Sequence, residues 1–382
     1  LRRNLVKLLI GLAIGAFFIY LSARDWPLDK IIGPMSVESG HLVVGDGFVP
    51  RSPLDEEALL VADGWAMDLL WLLPFLFILV AIHFLRVIRW KPLLDPIVTI
   101  SWRDHNRIGA VGFMAMFLFP LRLGELVRPY MVKKLTGKVR MTEVLATVVV
   151  ERVVDGLMIA LALFGILALL PTTDPSTAQQ LEIGAIIALT IFAGATLLLV
   201  LARWQHALAR RLVERTVGLV SSRLARGIDR LIASFIRGLN SLPSARAFAW
   251  FLLLTAIYWG LNGLGVYCMV RAFYLPVDMV GSYAMLCCVV VGMMIPNAPG
   301  NVGSFWYFLL LPVLLYGVTH ESTQAMAFGL AVWFMQLAQQ TAFGAWFILR
   351  RQVTWRGVVE ATYEDERSLT TPAEAEPARL TV

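Results

Sequence analysis

From the N-terminus onward, the chain alternates between long apolar runs and short polar stretches. The length of the runs matches a bilayer and not a soluble core. Residues 5–21, 66–88, 143–170, 183–202, 247–270 and 323–349 are each dominated by Leu, Ala, Val, Ile and Phe, and a spanning helix needs about 20 such residues. A transmembrane barrel would instead show alternating segments of about ten residues. Two further regions are apolar but too short to cross as ordinary spans. One is 108–119. The other comprises 280–295 and 303–318, split by Pro296-Asn297-Ala298-Pro299-Gly300-Asn301. The expected fold is an all-α polytopic membrane protein with about six full transmembrane helices and two re-entrant or broken-helix elements. Irregular backbone at membrane depth is tolerated only where protein or water surrounds it, so such elements point to an interior site.

Charge sets the orientation. Residues 22–64 carry eight Asp and Glu against three basic residues and are expected to form an extracytoplasmic loop. The second run ends in Arg86, Arg89 and Lys91, a cytoplasmic signature under the positive-inside rule. Arg103 and Arg107 precede the 108–119 run and Arg122, Arg128, Lys133, Lys134, Lys138 and Arg140 follow it, so this element is expected to enter from the cytoplasm. The element around Pro299 enters from outside, and both termini face the cytoplasm. Residues 203–246 hold nine arginines and read equally as a cytoplasmic amphipathic segment on anionic headgroups or as a solvated connector. Residues 1–356 are expected to form a single transmembrane domain in a bacterial or archaeal cytoplasmic membrane, and 357–382 a polar, disordered tail.

Composition removes several functional classes. Of 382 residues, 58% are hydrophobic and 16% charged, far from the quarter-charged average of soluble domains. The net charge of +6 comes from the cytoplasmic loops, which implies membrane lipids as partners and not nucleic acid. Cys268, Cys287 and Cys288 lie inside apolar runs with neither metal-ligand nor redox spacing. No phosphate-binding Gly-rich loop, paired-histidine metal motif or nucleophile elbow occurs. Catalytic residues, a cofactor and a metal are therefore not expected, and the chain is read as a non-enzyme.

Three polar clusters carry the candidate chemistry. The first, around Arg122, Glu125 and Arg128, sets two arginines beside one carboxylate between Pro120 and Pro129. A guanidinium offers a fork of donors that matches a phosphate and keeps its charge in an apolar setting. The second is Glu151, Arg152 and Asp155, about two turns into an apolar helix, where charges must pair or face a cavity. It is expected to pair with the first cluster, joining Glu125 to Arg152 and Arg122 or Arg128 to Glu151 or Asp155. The third runs through Asn297, Pro299, Gly300, Gly303 and Ser304, where an unwound backbone would aim the N-terminus of a half-helix at an anion. Each cluster also has a structural alternative: a loop anchor, a buried ion-pair lock and a packing kink, respectively. Gln336, Gln339, Gln340 and Asn262 read as helix glue or cavity lining, and His83, Arg86 and Arg89 as headgroup contacts or snorkelling side chains.

The stretches RVIRWKPLL (86–94), FLFPLRLGELVR (117–128), VVVERVVDGL (148–157) and IPNAPGNVGSF (295–305) resemble, in order and spacing, the lysylphosphatidylglycerol synthase transmembrane-region family of flippase-like membrane proteins. The likeness extends over about residues 80–350. It implies a transporter that moves an anionic phospholipid or polyprenyl-linked lipid between leaflets; on the reading of the clusters above, Arg122, Arg128 and residues 300–304 would engage the lipid phosphate while Glu125, Glu151 and Asp155 respond by re-pairing or protonation. The aminoacyl-transferase domain of the synthase relatives is not present in this sequence. One departure stands out: where members commonly carry Glu, three residues after the second Gly of the Pro-Gly motif, this chain has Trp306. The alternative function is a non-transporting scaffold or accessory subunit of a lipid- or glycan-modifying enzyme. The expected partners are an anionic lipid or lipid-linked substrate, a second copy of the chain, or a partner membrane enzyme.

Overall fold

A computed structural model describes residues 2–23, 28–171, 173–204, 243–294, 298–319 and 321–362. Most of the arginine-rich 203–246 segment, Asn297 and residues 363–382 of the predicted tail lie outside the described residues. The described chain is mostly helical. The principal helices are α1 (Arg2–Ala23), α2 (Pro53–Val61), α3 (Leu72–Leu94), α4 (Trp102–Leu118), α5 (Val127–Thr136), α6 (Met141–Ile166), α7 (Pro175–Trp204), α8 (Ala245–Ala272), α9 (Met279–Met294), α10 (Ser304–Leu310), α11 (Thr323–Leu349) and α12 (Trp355–Thr362).

Four of the predicted spans are helices long and apolar enough to cross a membrane, at Leu69–Leu94, Met141–Leu169, Pro175–Leu201 and Ala245–Ala272. They leave large apolar side chains such as Phe77, Leu161, Ile191 and Leu253 exposed, as lipid-facing helices do. The other two predicted spans are helical as well. Of these, α11 has 27 residues, but Gln336, Gln339 and Gln340 dilute its hydropathy, and α1 runs Arg2–Ala23 with Leu12–Leu21 as its apolar stretch among the described residues.

The chain forms two compact units. One comprises Leu1–His83, Met158–Leu189 and Ile257–Gln339, and the other Phe84–Leu157, Thr190–Ala256 and Gln340–Val382.

The first unit contains the broken element. After helix α9 come the turn at Pro299–Asn301 and α10, which with the 3-10 turn Leu311–Tyr316 packs along α9, with α1 against α10. The Asp278 carboxylate holds the base of this hairpin, accepting from the Gly281 N–H at 2.8 Å and from the Tyr316 hydroxyl at 2.5 Å. The exception to the helical pattern lies in the acidic stretch after α1. There β1 (Met35–Glu38), β2 (His41–Val44) and β3 (Trp65–Asp68) form an antiparallel sheet in the order β1-β2-β3, with Val37 opposite Leu42 and Leu42 opposite Met67. Val43, Ala66 and Leu59 of α2 form a small core. Beside β3, the buried Gln324 side chain accepts from Ala66 N–H at 2.9 Å and donates to Ala66 O at 2.8 Å and to Phe273 O. One amide thereby satisfies backbone groups that burial would otherwise leave unpaired.

The second unit is built on a helical hairpin. Ser101 caps α4, its hydroxyl accepting from Asp104 N–H at 3.1 Å. The 3-10 turn Pro120–Leu126 reverses the chain, α5 returns along α4, and Gly137 at φ 62 closes α5 in the left-handed conformation. Residues 355–362 continue as helix α12, whose Val358 and Ala361 are buried with Val111, Met114, Ala115 and Val127 of the hairpin.

Two outcomes follow. Gln324→Ala strips three buried backbone groups of their partner, each costing about 1–3 kcal/mol when unsatisfied. Its thermal unfolding in detergent should fall well below that of the parent. Asp174, ahead of α7, accepts from Thr177 Oγ1 at 2.6 Å, Ser176 Oγ at 2.8 Å and Ser176 N–H at 3.0 Å. These bonds, the Thr177 hydroxyl first, pull its carboxyl from its ordinary 3.8 down to about 2. Because the folded value is depressed, the stabilisation is present above about pH 4 and is lost as pH falls through 2. Asp174→Asn should flatten that part of a melting-temperature profile against pH.

Candidate functional site

The polar residues of the second unit converge from three helices. On α6, Glu151 and Asp155 are four residues apart and share one face. Arg89 of α3 spans both carboxylates: Nη2 lies 2.8 Å from Glu151 Oε1 and 2.8 Å from Asp155 Oδ2, and Nη1 2.5 Å from Asp155 Oδ1. Arg128 of α5 donates from Nη1 to the second Glu151 oxygen at 2.8 Å. Arg152 donates from Nη2 to Glu151 Oε1 at 2.8 Å and lies 3.4 Å from Asp155 Oδ2. Arg89, Arg128, Glu151 and Asp155 are all buried, while Arg152 retains 18% exposure. Three arginines thus face two carboxylates, leaving one positive charge in excess.

The surroundings of Arg128 explain its position. Its aliphatic stem crosses Gly112, where an added Cβ would stand 2.3 Å from Arg128 Cγ, so only glycine leaves room for it. Its guanidinium lies over the rings of Trp90 and Phe113, 4.9 and 5.3 Å from their centroids. Trp90 is fixed by its indole N–H bond to Thr147 Oγ1 at 3.0 Å. Nε and Nη2 of Arg128 are buried with no hydrogen-bond partner. One edge of a fully buried guanidinium therefore has donor capacity to spare.

Arg122 is held differently. It occupies the Pro120–Leu126 turn with φ 59, a left-handed conformation that costs a residue with a side chain about 1–3 kcal/mol and tends to persist at functional positions. Its Nε and Nη2 donate to Glu125 Oε1 at 2.9 and 2.6 Å, and both side chains are 21% exposed. Of the pairings expected between the clusters, Arg128 with Glu151 forms. Arg122 bonds within its own turn, and Arg152 bonds to the acids of its own helix.

Arg89, expected as a headgroup contact or a snorkelling side chain and not as a partner of the α6 acids, contacts both of them. A signal was present in the sequence: the apolar pattern resumes at Leu93 and Leu94, and α3 runs to Leu94. Arg89 therefore sits more than a turn inside the helix, too deep to be a snorkelling terminal residue. Its neighbour Arg86 lies 4.0 Å over the Phe113 ring and donates to Gln340 at 3.2 Å.

The described residues of the third predicted cluster belong to the first unit. Pro299 opens a single 3-10 turn in which Gly300 and Asn301 adopt φ 71 and 52, and Gly303 follows at φ 84. Trp333 Nε1 donates to Gly300 O at 2.8 Å and Ser304 Oγ to Asn301 O at 3.1 Å. A Cβ on Gly303 would lie 2.5 Å from the Ile19 backbone nitrogen. The glycine is thus required for α1 to pack there, and α10 after it has seven residues. Trp306 is buried and meets Trp333 edge to face at 5.3 Å.

Long lipid-facing helices and an ion-pair network buried among them define a multi-pass helical membrane protein. Residues 59–344 match the model of the family described as lysylphosphatidylglycerol synthase TM region, and the chain belongs to that family. All three polar clusters lie within the matched residues. The family relates the chain to lipid modification or lipid flipping. No curated protein and no solved structure matches the chain.

The two arginine environments predict different consequences of truncation. Arg89→Met leaves buried carboxylates short of a partner, a change that costs about 3–5 kcal/mol. Arg122→Ala removes a pair that keeps 21% exposure on each side, a smaller loss than stripping fully buried acids, and relieves a left-handed backbone only in part. Denaturation in detergent should rank Arg89→Met far below Arg122→Ala; equal stability would remove the distinction drawn between them.

Proposed function

We propose that this protein moves a lipid with an anionic headgroup, an anionic phospholipid or a polyprenyl-linked lipid, between the leaflets of a cytoplasmic membrane. In this reading it has six spans, re-entrant α4–α5 and α9–α10 hairpins and both termini in the cytoplasm, and it carries out no covalent chemistry. The observation that carries the proposal is the contrast between two arginines on one hairpin. Arg128 is locked by Glu151 yet keeps unused donors, while Arg122 is partly exposed, conformationally strained and ion-paired to Glu125 of its own turn.

A lipid phosphate arriving at the Pro120–Leu126 turn can replace Glu125 on Arg122 while the fully buried acids Glu151 and Asp155 stay paired. The exchange is close to balanced, because a charge-assisted bond to carboxylate gives way to one of similar strength to phosphate. A site that transports must release as readily as it binds, and a replaceable internal carboxylate suits that need. The excess positive charge of the Arg89–Arg128–Arg152 network favours an anion nearby.

One observation favours the second reading, a non-transporting scaffold or accessory subunit of a lipid- or glycan-modifying enzyme. Every carboxylate of the network is already bonded to arginine within the chain, as in a purely structural lock. Purified protein in liposomes carrying a fluorescent anionic phospholipid separates the two. The parent should transfer the probe between leaflets, and Arg122→Ala should lose at least about tenfold of that rate at nearly unchanged melting temperature. Undiminished transfer by Arg122→Ala would refute the assigned role, and absence of transfer by the parent would favour the scaffold.

A further inference from the structure

Beyond the end of α11 the chain turns a corner with an unusual surface. Trp346 is 55% exposed, Leu349 80% and Trp355 47%, and Arg350, Arg351 and Arg356 beside them are exposed as well. The Arg350 guanidinium lies 4.6 Å from the Trp346 ring centroid. Arg356 pairs with Glu360 at 3.0 Å, but its side chain remains 90% exposed. Among the described residues 346–362, three arginines stand against one carboxylate among exposed indoles. In water this surface would be poorly solvated. At a headgroup layer both halves are satisfied, since indole rings settle at the boundary between chains and headgroups and arginine pairs with phosphate.

The other side of the corner is buried against the hairpin that carries Arg122. Val358 and Ala361 lie in one core with Val111, Met114, Ala115 and Val127. The Trp355 ring stacks on Phe119 at 5.9 Å and 18°, and Phe119 immediately precedes Pro120. Whatever holds the corner therefore also holds the turn on which Arg122 sits.

We infer that residues 346–360 form a docking surface for the anionic headgroups of the surrounding membrane, distinct from the Arg122 turn, and that it fixes this turn at headgroup depth. Charge complementarity favours anionic over zwitterionic lipid, because a surface with more arginine than carboxylate gains more from a headgroup layer of net negative charge than from one of zero net charge. The surface requires no transport activity, so it stands whether or not the proposed lipid transfer is correct.

The test uses the full chain in nanodiscs of phosphatidylcholine alone or with added phosphatidylglycerol, read by hydrogen–deuterium exchange of peptides covering 350–362. Phosphatidylglycerol should slow exchange there by roughly fivefold or more, the factor expected from even one basic side chain near an anionic surface, and high salt should weaken the effect. R350Q/R351Q/R356Q should lose the difference and R350K/R351K/R356K should keep it. Arg122→Ala should leave it intact, which separates this surface from the transfer site. Identical exchange of the parent in the two lipids would overturn the inference, as would a phosphatidylglycerol effect that survives the glutamine triple variant. The first of these comparisons requires no variant to fold.

Discussion

The carboxylate of Glu151 is the point on which the second unit depends. Three guanidinium groups reach it, from Arg89 on α3, Arg128 on α5 and its neighbour Arg152 on α6. A charge moved out of water into protein costs several kcal/mol even after relaxation, and none of these groups can be left alone without paying that penalty. The helices are consequently constrained together: α3 cannot shift without stranding two acids, and α5 cannot leave without stranding Arg128 above Gly112. Such a lock is weak evidence for stability as such, because an apolar replacement can do as well. Its specific effect is to fix one arrangement of the hairpin relative to the helices behind it.

That fixed background gives the Pro120–Leu126 turn its significance. On one hairpin, Arg128 is immobilised by stacking, a bound carboxylate and a glycine beneath its stem, whereas Arg122 rests on a strained backbone and a partner three residues away. The difference lies in environment and not in residue type. Backbone strain persists only when the surroundings over-determine it, and here they include the packed α12 and the Phe119–Trp355 stack.

The first unit solves its polar problems with hydrogen bonds from single side chains to the backbone or a hydroxyl. Gln324 serves the backbone of β3, Asp278 ties both ends of the broken hairpin, and the Trp333 indole takes up the Gly300 carbonyl. The glycines of the Pro299 element are accounted for by close helix packing against α1 and by left-handed turns. The predicted half-helix anion site finds less support in this geometry than the arginine hairpin does, since α10 is short and the Gly303 face is filled.

Hydrophobic periodicity and length by themselves determined the membrane class, the position of the long helices and the two interrupted elements, because a bilayer imposes one dimension that any spanning segment must meet. Residue type also marked Glu151, Asp155 and Arg128 as groups that must be paired, since an apolar environment leaves a charge few alternatives. Partner choice was another matter. Whether Arg122 meets Glu151 or Glu125, and whether Arg89 snorkels or spans two acids, depends on distances among α3, α5 and α6 that no local pattern encodes. The sheet after α1 was hidden for a related reason: its four-residue strands are too short to show alternation, and it is completed by Gln324, more than 250 positions away in the chain. Local physics sufficed to say which groups needed partners; only the tertiary packing of distant segments decided which partners they found.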